Sequence, residues 1–445
     1  MNYTSAENFI LSFINLPRAE YMADPKHCGV YLERMQFLLD LLGNPEKQIP
    51  HYIHVTGTSG KGSTVSLLHS ILEAGGKKVG STYSPHPTFL TERWRLGNRY
   101  MSQTEFVAIV EQIKPKLDEY LRTAPYDMVS FFEITDAIAL LWFAKQKVEW
   151  VVLEVGCGGR YDSTNVIPYK DVAVITNIGL DHVGVIGNNK LEIAYEKAGI
   201  IKPGCHVFTA EKNPQVFSVI QTEAVKNQVA ITRVVGVPKK ITTKNQQTTF
   251  DHDGHTYTLP TLGIHQVQNA RLAIEVATFL NIPTKKIQQG IKNIAQPLRL
   301  EIVNKKNPLI ILDGAHNADK MRATVQAVQE ILDQQKNHKH KKVHLVVGFS
   351  FDKAKDVMIR ELSKLPLASL AITRTKTNHT RKVAAPADIK KTFAKTLRSK
   401  VATELFLDTE DALRWSQKQA KKTGIILVTG SIFVSGELRP LFQKS

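Results

Sequence analysis

One stretch limits what this chain can fold into more than any other: Ile53 to Thr64, reading Ile-His-Val-Thr-Gly-Thr-Ser-Gly-Lys-Gly-Ser-Thr. A short β-prone run, Tyr52 to Thr56, ends in glycines; a lysine and two hydroxyls follow, then an apolar periodic segment, Val65 to Leu72. Strand, glycine-rich turn and helix start, in that order, make a phosphate-binding loop. Gly57, Gly60 and Gly62 let the backbone turn tightly around Thr58 and Ser59 and face an anion with its N–H groups. The new helix adds its positive end. Lys61 sets a cation on the phosphates, and Ser63 or Thr64 offers a hydroxyl to phosphate or to Mg²⁺. Two positions depart from the general pattern: Val55 stands where a glycine is usual, and Gly62 separates lysine from hydroxyl. The plain alternative is a turn with a surface lysine; the strand before and helix after argue against it.

A chain of 445 residues is too long for one ordinary domain, so two or three are expected. Cys28, Cys157 and Cys205 form no close pair and suggest neither a disulfide framework nor a zinc site. The N-terminal stretch carries Glu7 and Arg18 and has no long apolar core, and no apolar run reaches membrane-spanning length, so a cytoplasmic protein without membrane contact is expected. The net charge of +17 raises the question of nucleic acid. Much of it lies in Lys336 to Lys342 and Lys390 to Lys400, which read as solvated basic surface. No aromatic-interleaved basic stripe accompanies it, so no nucleic-acid partner is expected. A polyanionic small substrate suits the charge equally well.

Helices are expected over Ala6 to Ile14 and Val30 to Leu42, a strand over Lys78 to Tyr83, and a long loop from Ser84 to Met101. Ser102 with Glu105, and Ser130 with Glu133, read as capping boxes that open helices to about Leu121 and Gln146. Glu149 to Val155 and Asp171 to Asn177 are β-branched runs of the kind found in central parallel strands. A helix over Asn188 to Gly199, a strand over Cys205 to Thr209, a hairpin around Asp253-Gly254, and helices over Gln266 to Leu280 and Thr284 to Ile294 follow. The alternation predicts an α/β fold: a doubly wound N-terminal domain containing the phosphate loop, residues 1–296. The pattern restarts near Gln296-Pro297 with strands over Leu309 to Leu312, Val343 to Gly348, Leu370 to Thr373 and Ile425 to Thr429. Residues 297–445 therefore read as a smaller, Rossmann-like α/β domain.

Sites in open parallel sheets lie at the carboxyl ends of strands. Ser84-Pro85-His86, the string from Glu154 to Arg160, Asn177 to His182, and Asp313 to Asn317 all fall there. Glu154 suits Mg²⁺, which prefers oxygen ligands. His182 suits it less well, and a hydrogen-bonded histidine at a strand end is an equal reading.

These strings resemble a known family. Thr56 to Ser63 resembles the phosphate loop of the Mur ligase superfamily, which carries the same extra residue. More narrowly, Glu154 to Asn165, Gly179-Leu-Asp-His182, Glu196-Lys-Ala-Gly-Ile200, Asp313-Gly-Ala-His-Asn317 and Gly430-Ser-Ile-Phe433 resemble folylpolyglutamate and dihydrofolate synthases, in the same order along nearly the whole chain. The resemblance implies that Lys61 and its glycines hold ATP phosphates and that Ser84, Glu154 and His182 ligate Mg²⁺. Lys197 matches a lysine the family carbamylates, which would supply an oxygen ligand to a second Mg²⁺. Such a lysine must be neutral to meet CO₂; an ordinary surface lysine remains the alternative. Asn269, Arg299 and Asp313 match nucleotide-contacting residues, and His316 would lie near them with a catalytic role. Three departures stand out: Ser59 replaces the usual Asn, Cys157 and Tyr161 replace aliphatic residues, and Leu298 stands where the family has Gly. For the pterin, the Pro85 to Met101 loop and Phe131-Phe132 are the candidates.

The implied activity is ATP-dependent addition of L-glutamate to a folate or to dihydropteroate. A carboxylate is a poor electrophile, so the γ-phosphoryl of ATP activates it as an acyl phosphate, which the amine of glutamate attacks. Lys61 and Mg²⁺ would offset the charge on the transferred phosphoryl, and domain closure would exclude water. A monomer is expected. The rival readings are another Mur-type ligase, for which an additional N-terminal domain would be expected, and a phosphate-loop protein with no ligase activity.

Overall fold

The structure is a computed structural model. It describes residues 1–14, 27–180, 183–244, 247–305, 308–333, 342–351, 355–376, 382–397, 399–421 and 424–443. Asp181, His182 and most of the Lys336 to Lys342 run lie outside these residues. The chain divides into two compact units, one formed by residues 1–242, 249–260 and 266–294, the other by 243–248, 261–265 and 295–445.

The first unit is built on an eight-stranded sheet. Its strands are β1 (His51–Thr56), β2 (Val79–Thr82), β3 (Trp94–Leu96), β4 (Arg99–Tyr100), β5 (Trp150–Glu154), β6 (Val172–Ile175), β7 (His206–Thr209) and β8 (Ile231–Arg233), in the order β4-β3-β2-β5-β1-β6-β7-β8. All pair in parallel except β3 and β4, which add antiparallel to the β2 edge. Side-chain alternation sends β5 residues Val151 and Leu153 into one core and Val152 into another. Likewise Val172 and Val174 of β6 face one side while Ala173 and Ile175 face the other. A sheet apolar on both faces must be covered on both, which gives the doubly wound arrangement. Strand β1 is central, with β5 on one side and β6 on the other; Val55 pairs with Glu154 and Thr56 with Ile175. The glycine loop therefore leaves the sheet where neighbouring connections part, the place where such sheets bind ligands.

Both capping boxes form, Ser102 with Glu105 and Ser130 with Glu133. Glu133 also takes a two-point ion pair from buried Arg34, at 2.8 Å from both Nε and Nη2, while Arg34 Nη1 reaches Asp127 at 2.7 Å. The start of the helix Phe131–Lys145 is thereby fixed.

The stretch from Ser84 to Met101, expected as one long loop, instead contains a short 3₁₀ turn and strands β3 and β4. Strands of three and two residues interrupted by arginines leave no periodic signal, which is why the sequence hides them. Residues Lys239–Lys244, Gln247–His252 and His255–Leu259 are β9 to β11, a separate three-stranded sheet with the expected turn at Asp253-Gly254.

The second unit carries a six-stranded sheet. Strands β12 (Glu301–Asn304), β13 (Leu309–Leu312), β14 (Val343–Val347), β15 (Leu367–Ile372), β16 (Ala402–Leu405) and β17 (Ile425–Thr429) lie in the order β12-β13-β17-β14-β15-β16. Only β12 is antiparallel. The edge strands β12, half-buried, and β16, mostly exposed, escaped the sequence reading because neither is a continuous apolar run.

Candidate active site

Strand β1 runs into Gly57 (φ +144°) and Gly60 (φ +86°), after which the helix Lys61–Ala74 begins. Both glycines are required here. A Cβ on Gly57 would lie 1.8 Å from Thr176 Oγ1, and one on Gly60 would lie 2.4 Å from Asn269 Oδ1. Asn269 thus packs on the loop, where the resemblance expects a nucleotide contact.

The loop is pinned by the strand beside it. Thr58 N donates to Asn177 O at 2.8 Å, Ser59 N to Asn177 Oδ1 at 3.0 Å, and Thr176 Oγ1 to Ser59 O at 2.7 Å. Lys61 Nζ and Lys197 Nζ both donate to the Gly57 carbonyl, at 2.9 and 3.2 Å. Lys197, read as either a ligand precursor or a surface lysine, is only 2% exposed, so the surface reading is excluded. Ser59 Oγ and Thr64 Oγ1 are buried hydroxyls with no hydrogen-bond partner. Such orphans fit a loop shaped for phosphate oxygens and a cation.

At the end of β5, Glu154 is buried; its Oε2 accepts from Ser84 N at 3.2 Å, and its own N donates to Thr82 Oγ1 at 3.0 Å. Ser84 and Glu154 are therefore neighbours, beside β1. His182, the third expected ligand, lies outside the described residues. Ser63 is buried in the first turn of the helix and Gly62 precedes it.

A second group of side chains, which sequence reasoning did not single out as a unit, adjoins these. Arg93 is 5% exposed and sits over the rings of Phe131 and Phe132, at 5.4 and 5.9 Å. It comes from one candidate pterin segment and the phenylalanines from the other. Burial lowers its guanidinium to about 10, with Asp136 and Glu154 opposing, so it stays charged at neutral pH. Asp136, one turn into the same helix as the phenylalanines, accepts from Ser163 Oγ at 2.5 Å. Burial pushes its carboxyl up to about 7, and the nearby Asp162 adds to the effect. Asp162 is also raised by burial, against hydrogen bonds from Thr164 and Cys157 and the charge of Lys61. Two half-buried carboxyls, a buried cation and two aromatic rings next to the phosphate loop make a set of groups suited to a flat, nitrogen-rich ring with an anionic tail.

In the second unit, Asp313 follows β13 and is hydrogen-bonded within that unit. Its Oδ1 accepts from Ala315 N at 3.0 Å and Thr324 Oγ1 at 2.7 Å, and its Oδ2 from Leu300 N at 3.1 Å. It builds the turn that carries His316. His316 Nδ1 donates to Gly314 O at 2.8 Å, which leaves Nε2 to accept from Lys320 Nζ at 3.1 Å. Arg299 lies between Leu298 and Leu300, both left-handed at φ +55° and +52° and both buried. The glycine expected at position 298 is thus explained by backbone conformation, and here a leucine fills the core instead. Leu298→Gly would relieve about 1–2 kcal/mol of left-handed strain but remove a buried side chain worth about 3–5 kcal/mol. The variant should unfold at lower denaturant; a midpoint equal to or above that of the parent would contradict this balance.

Comparisons with known proteins give the family. The Mur ligase middle domain matches residues 55–277, and the Mur ligase glutamate ligase domain matches residues 298–432. The dihydrofolate synthase/folylpolyglutamate synthase of Bacillus subtilis is 33% identical over 428 residues, covering 92% of this chain and 94% of that protein. This chain is a member of the Mur ligase family, in its folylpolyglutamate/dihydrofolate synthase branch. A Mycobacterium tuberculosis folylpolyglutamate synthase complexed with ADP superposes at a TM-score of 0.85, with 26% identity and complete coverage of both chains (100% each). Escherichia coli FolC in complex with DHPP and ADP gives 0.77 at 25% identity, covering 99% of this chain and 98% of that one. No helix among the described residues is long and apolar enough to cross a membrane.

Proposed function

We propose that this synthase joins L-glutamate to a folate or to dihydropteroate, using ATP and passing through an acyl phosphate. The observation that carries this reading is the adjacency, in one unit, of the glycine loop with its two lysines and the Arg93, Phe131, Phe132, Asp136 and Asp162 group. Family membership over nearly the whole chain favours it above another Mur-type ligase or a non-ligase phosphate-loop protein.

In this reading residues 1–296 bind ATP and the pterin, and residues 297–445 serve glutamate. Gly57, Thr58, Gly60, Lys61, Gly62, Ser63 and Thr64 receive the ATP phosphates, with Asn269 against the loop. Lys61 leaves the Gly57 carbonyl for the γ-phosphoryl and offsets its charge during transfer. Mg²⁺ fits Ser84, Glu154 and the Thr64 hydroxyl; when bound, it neutralises phosphate charge. Lys197, as its carbamate, would hold a second Mg²⁺. The pteridine's amino group and ring N–H form a donor edge, and Asp162 is the carboxylate acceptor on it, through Oδ2. Phe132, half-exposed, offers a stacking face, and Arg93 an anion partner. Arg299, Asp313 and His316 are assigned to nucleotide and glutamate binding, His316 holding its Nε2 beside Lys320. The protein is taken as a cytoplasmic monomer with small-molecule partners only.

An assay with labelled glutamate, ATP, and either dihydropteroate or tetrahydrofolate tests the proposal. ADP should form with sustained turnover only when a pteroyl substrate and glutamate are both present. ATP hydrolysis at the same rate without them would refute the ligase reading.

A further inference from the structure

Behind Asp162 lies a group of buried polar residues that the reaction, as described, does not use. His54 of β1 is fully buried and Lys170 is 3% exposed. Lys170 Nζ lies 2.7 Å from His54 Nδ1 and 3.0 Å from Asn165 Oδ1. His54 Nε2 lies 2.8 Å from Thr164 Oγ1, and Thr164 Oγ1 donates in turn to Asp162 Oδ1.

The direction of every proton in this chain is fixed by its ends. Asn165 Nδ2 donates to the carbonyls of Arg160 and Gly199, at 3.0 and 3.1 Å, so its Oδ1 faces Lys170 and must accept. At the other end, an ionised Asp162 can only accept, so the Thr164 hydroxyl gives its proton there. Thr164 Oγ1 is then free to accept, and His54 must carry its proton on Nε2. Its Nδ1 is left as the acceptor for Lys170. Among the described residues no carboxylate lies within ion-pair distance of Lys170, and burial, with Lys202 nearby, pulls its ammonium well below the usual lysine range. Its N–H groups reach Asn165 Oδ1 and His54 Nδ1. Burial likewise keeps the His54 ring neutral.

We propose that Lys170, His54 and Thr164 are positioning residues for the pteridine: a one-way hydrogen-bond chain that holds Asp162 as an oriented, ionised acceptor. Asp162 also accepts from Thr164 N at 3.1 Å on Oδ1 and from Cys157 N at 2.9 Å on Oδ2. Of its roughly four acceptor directions three are filled, and the open one is on Oδ2, where a ring N–H can bind. A carboxyl raised by burial would otherwise take up a proton and turn from acceptor to donor. The chain opposes that change, because the Thr164 hydroxyl, held as a donor to Oδ1, favours the ionised carboxylate, as do the N–H groups of Thr164 and Cys157.

The inference rests on Asp162 being the pteridine acceptor, so the experiment separates the two claims. Steady-state kinetics with dihydropteroate would compare Asp162→Asn, Lys170→Met, Thr164→Val and Thr164→Ser with the parent, with ADP binding and thermal melting as checks on the fold. Lys170→Met and Thr164→Val should each raise KM for dihydropteroate about tenfold, as expected for a buried hydrogen bond to a charged group, with kcat and KM for ATP within about twofold. Thr164→Ser keeps the hydroxyl and should restore KM. If Asp162→Asn raises KM but Lys170→Met and Thr164→Val do not, the relay is wrong and the pocket stands. If Asp162→Asn leaves KM unchanged, the pocket assignment itself falls. Equal losses in kcat, ADP binding and melting temperature would mark the chain as scaffold alone and overturn the proposal. Nitrogen-15 NMR of His54 gives a reading independent of any variant: the Nε2–H tautomer supports the chain, and the Nδ1–H tautomer overturns it.

Discussion

Lys61→Ala should lower kcat by about a thousandfold or more while leaving the melting temperature close to that of the parent. The size follows from its job. Preorganised charge aimed at the transferred phosphoryl is usually the largest catalytic contribution, and loss of one such donor costs about 10²–10³ in rate. A lysine that also carries a full charge stands at or beyond the upper end. The small effect on stability follows from its place. Lys61 is half-buried at the first position of its helix, and its ammonium donates to the Gly57 carbonyl, a group that Lys197 also reaches. Turnover near the parental rate in a folded Lys61→Ala protein would sink the assignment of the loop.

Lys197→Ala should lose activity by a comparable factor, for a different reason. Its amine is buried at the loop but reaches the Gly57 carbonyl from the last turn of the helix Lys190–Ala198. If CO₂ adds to that amine, a carbamate and a proton result, and the site gains an anionic oxygen where it had a donor. Short carboxylic acids should then restore part of the activity of Lys197→Ala, and carbon-13 NMR with labelled bicarbonate should show the adduct in the parent. Full activity in Lys197→Ala would leave this lysine as packing only. Because both lysines share one acceptor, the double variant should lose less than the product of the two single losses.

The strands that carry the site were legible because their composition is local. Val151 to Leu153 and Val172 to Ile175 are apolar on both faces, and that alone places them inside a parallel sheet. The glycine loop was legible because no other residue takes those backbone angles so readily. Asp136, Asp162, His54 and Lys170 were not. A buried polar network has no period: each member is singular in sequence, and its partners lie 2 to 116 positions away. Lys170 reads as a surface lysine after Tyr169, and His54 as the polar position of an alternating strand; only the fold shows that they touch. Asp313 illustrates a different limit. The family resemblance points it at a nucleotide, while its carboxylate takes several hydrogen bonds from its own unit, so its substitution would confound folding with binding.

The pair of left-handed leucines around Arg299 bears on how family averages are used to engineer this protein. Leu298 packs into one face of the second unit's core and Leu300 into the other. A consensus design would write glycine at 298, and elsewhere consensus substitutions often stabilise. Here the average describes a backbone angle and is silent about the volume that this particular lineage has filled. The local optimum depends on the neighbours that evolved around that leucine, so residues borrowed from relatives at this junction should be exchanged together with the core facing them, or left alone.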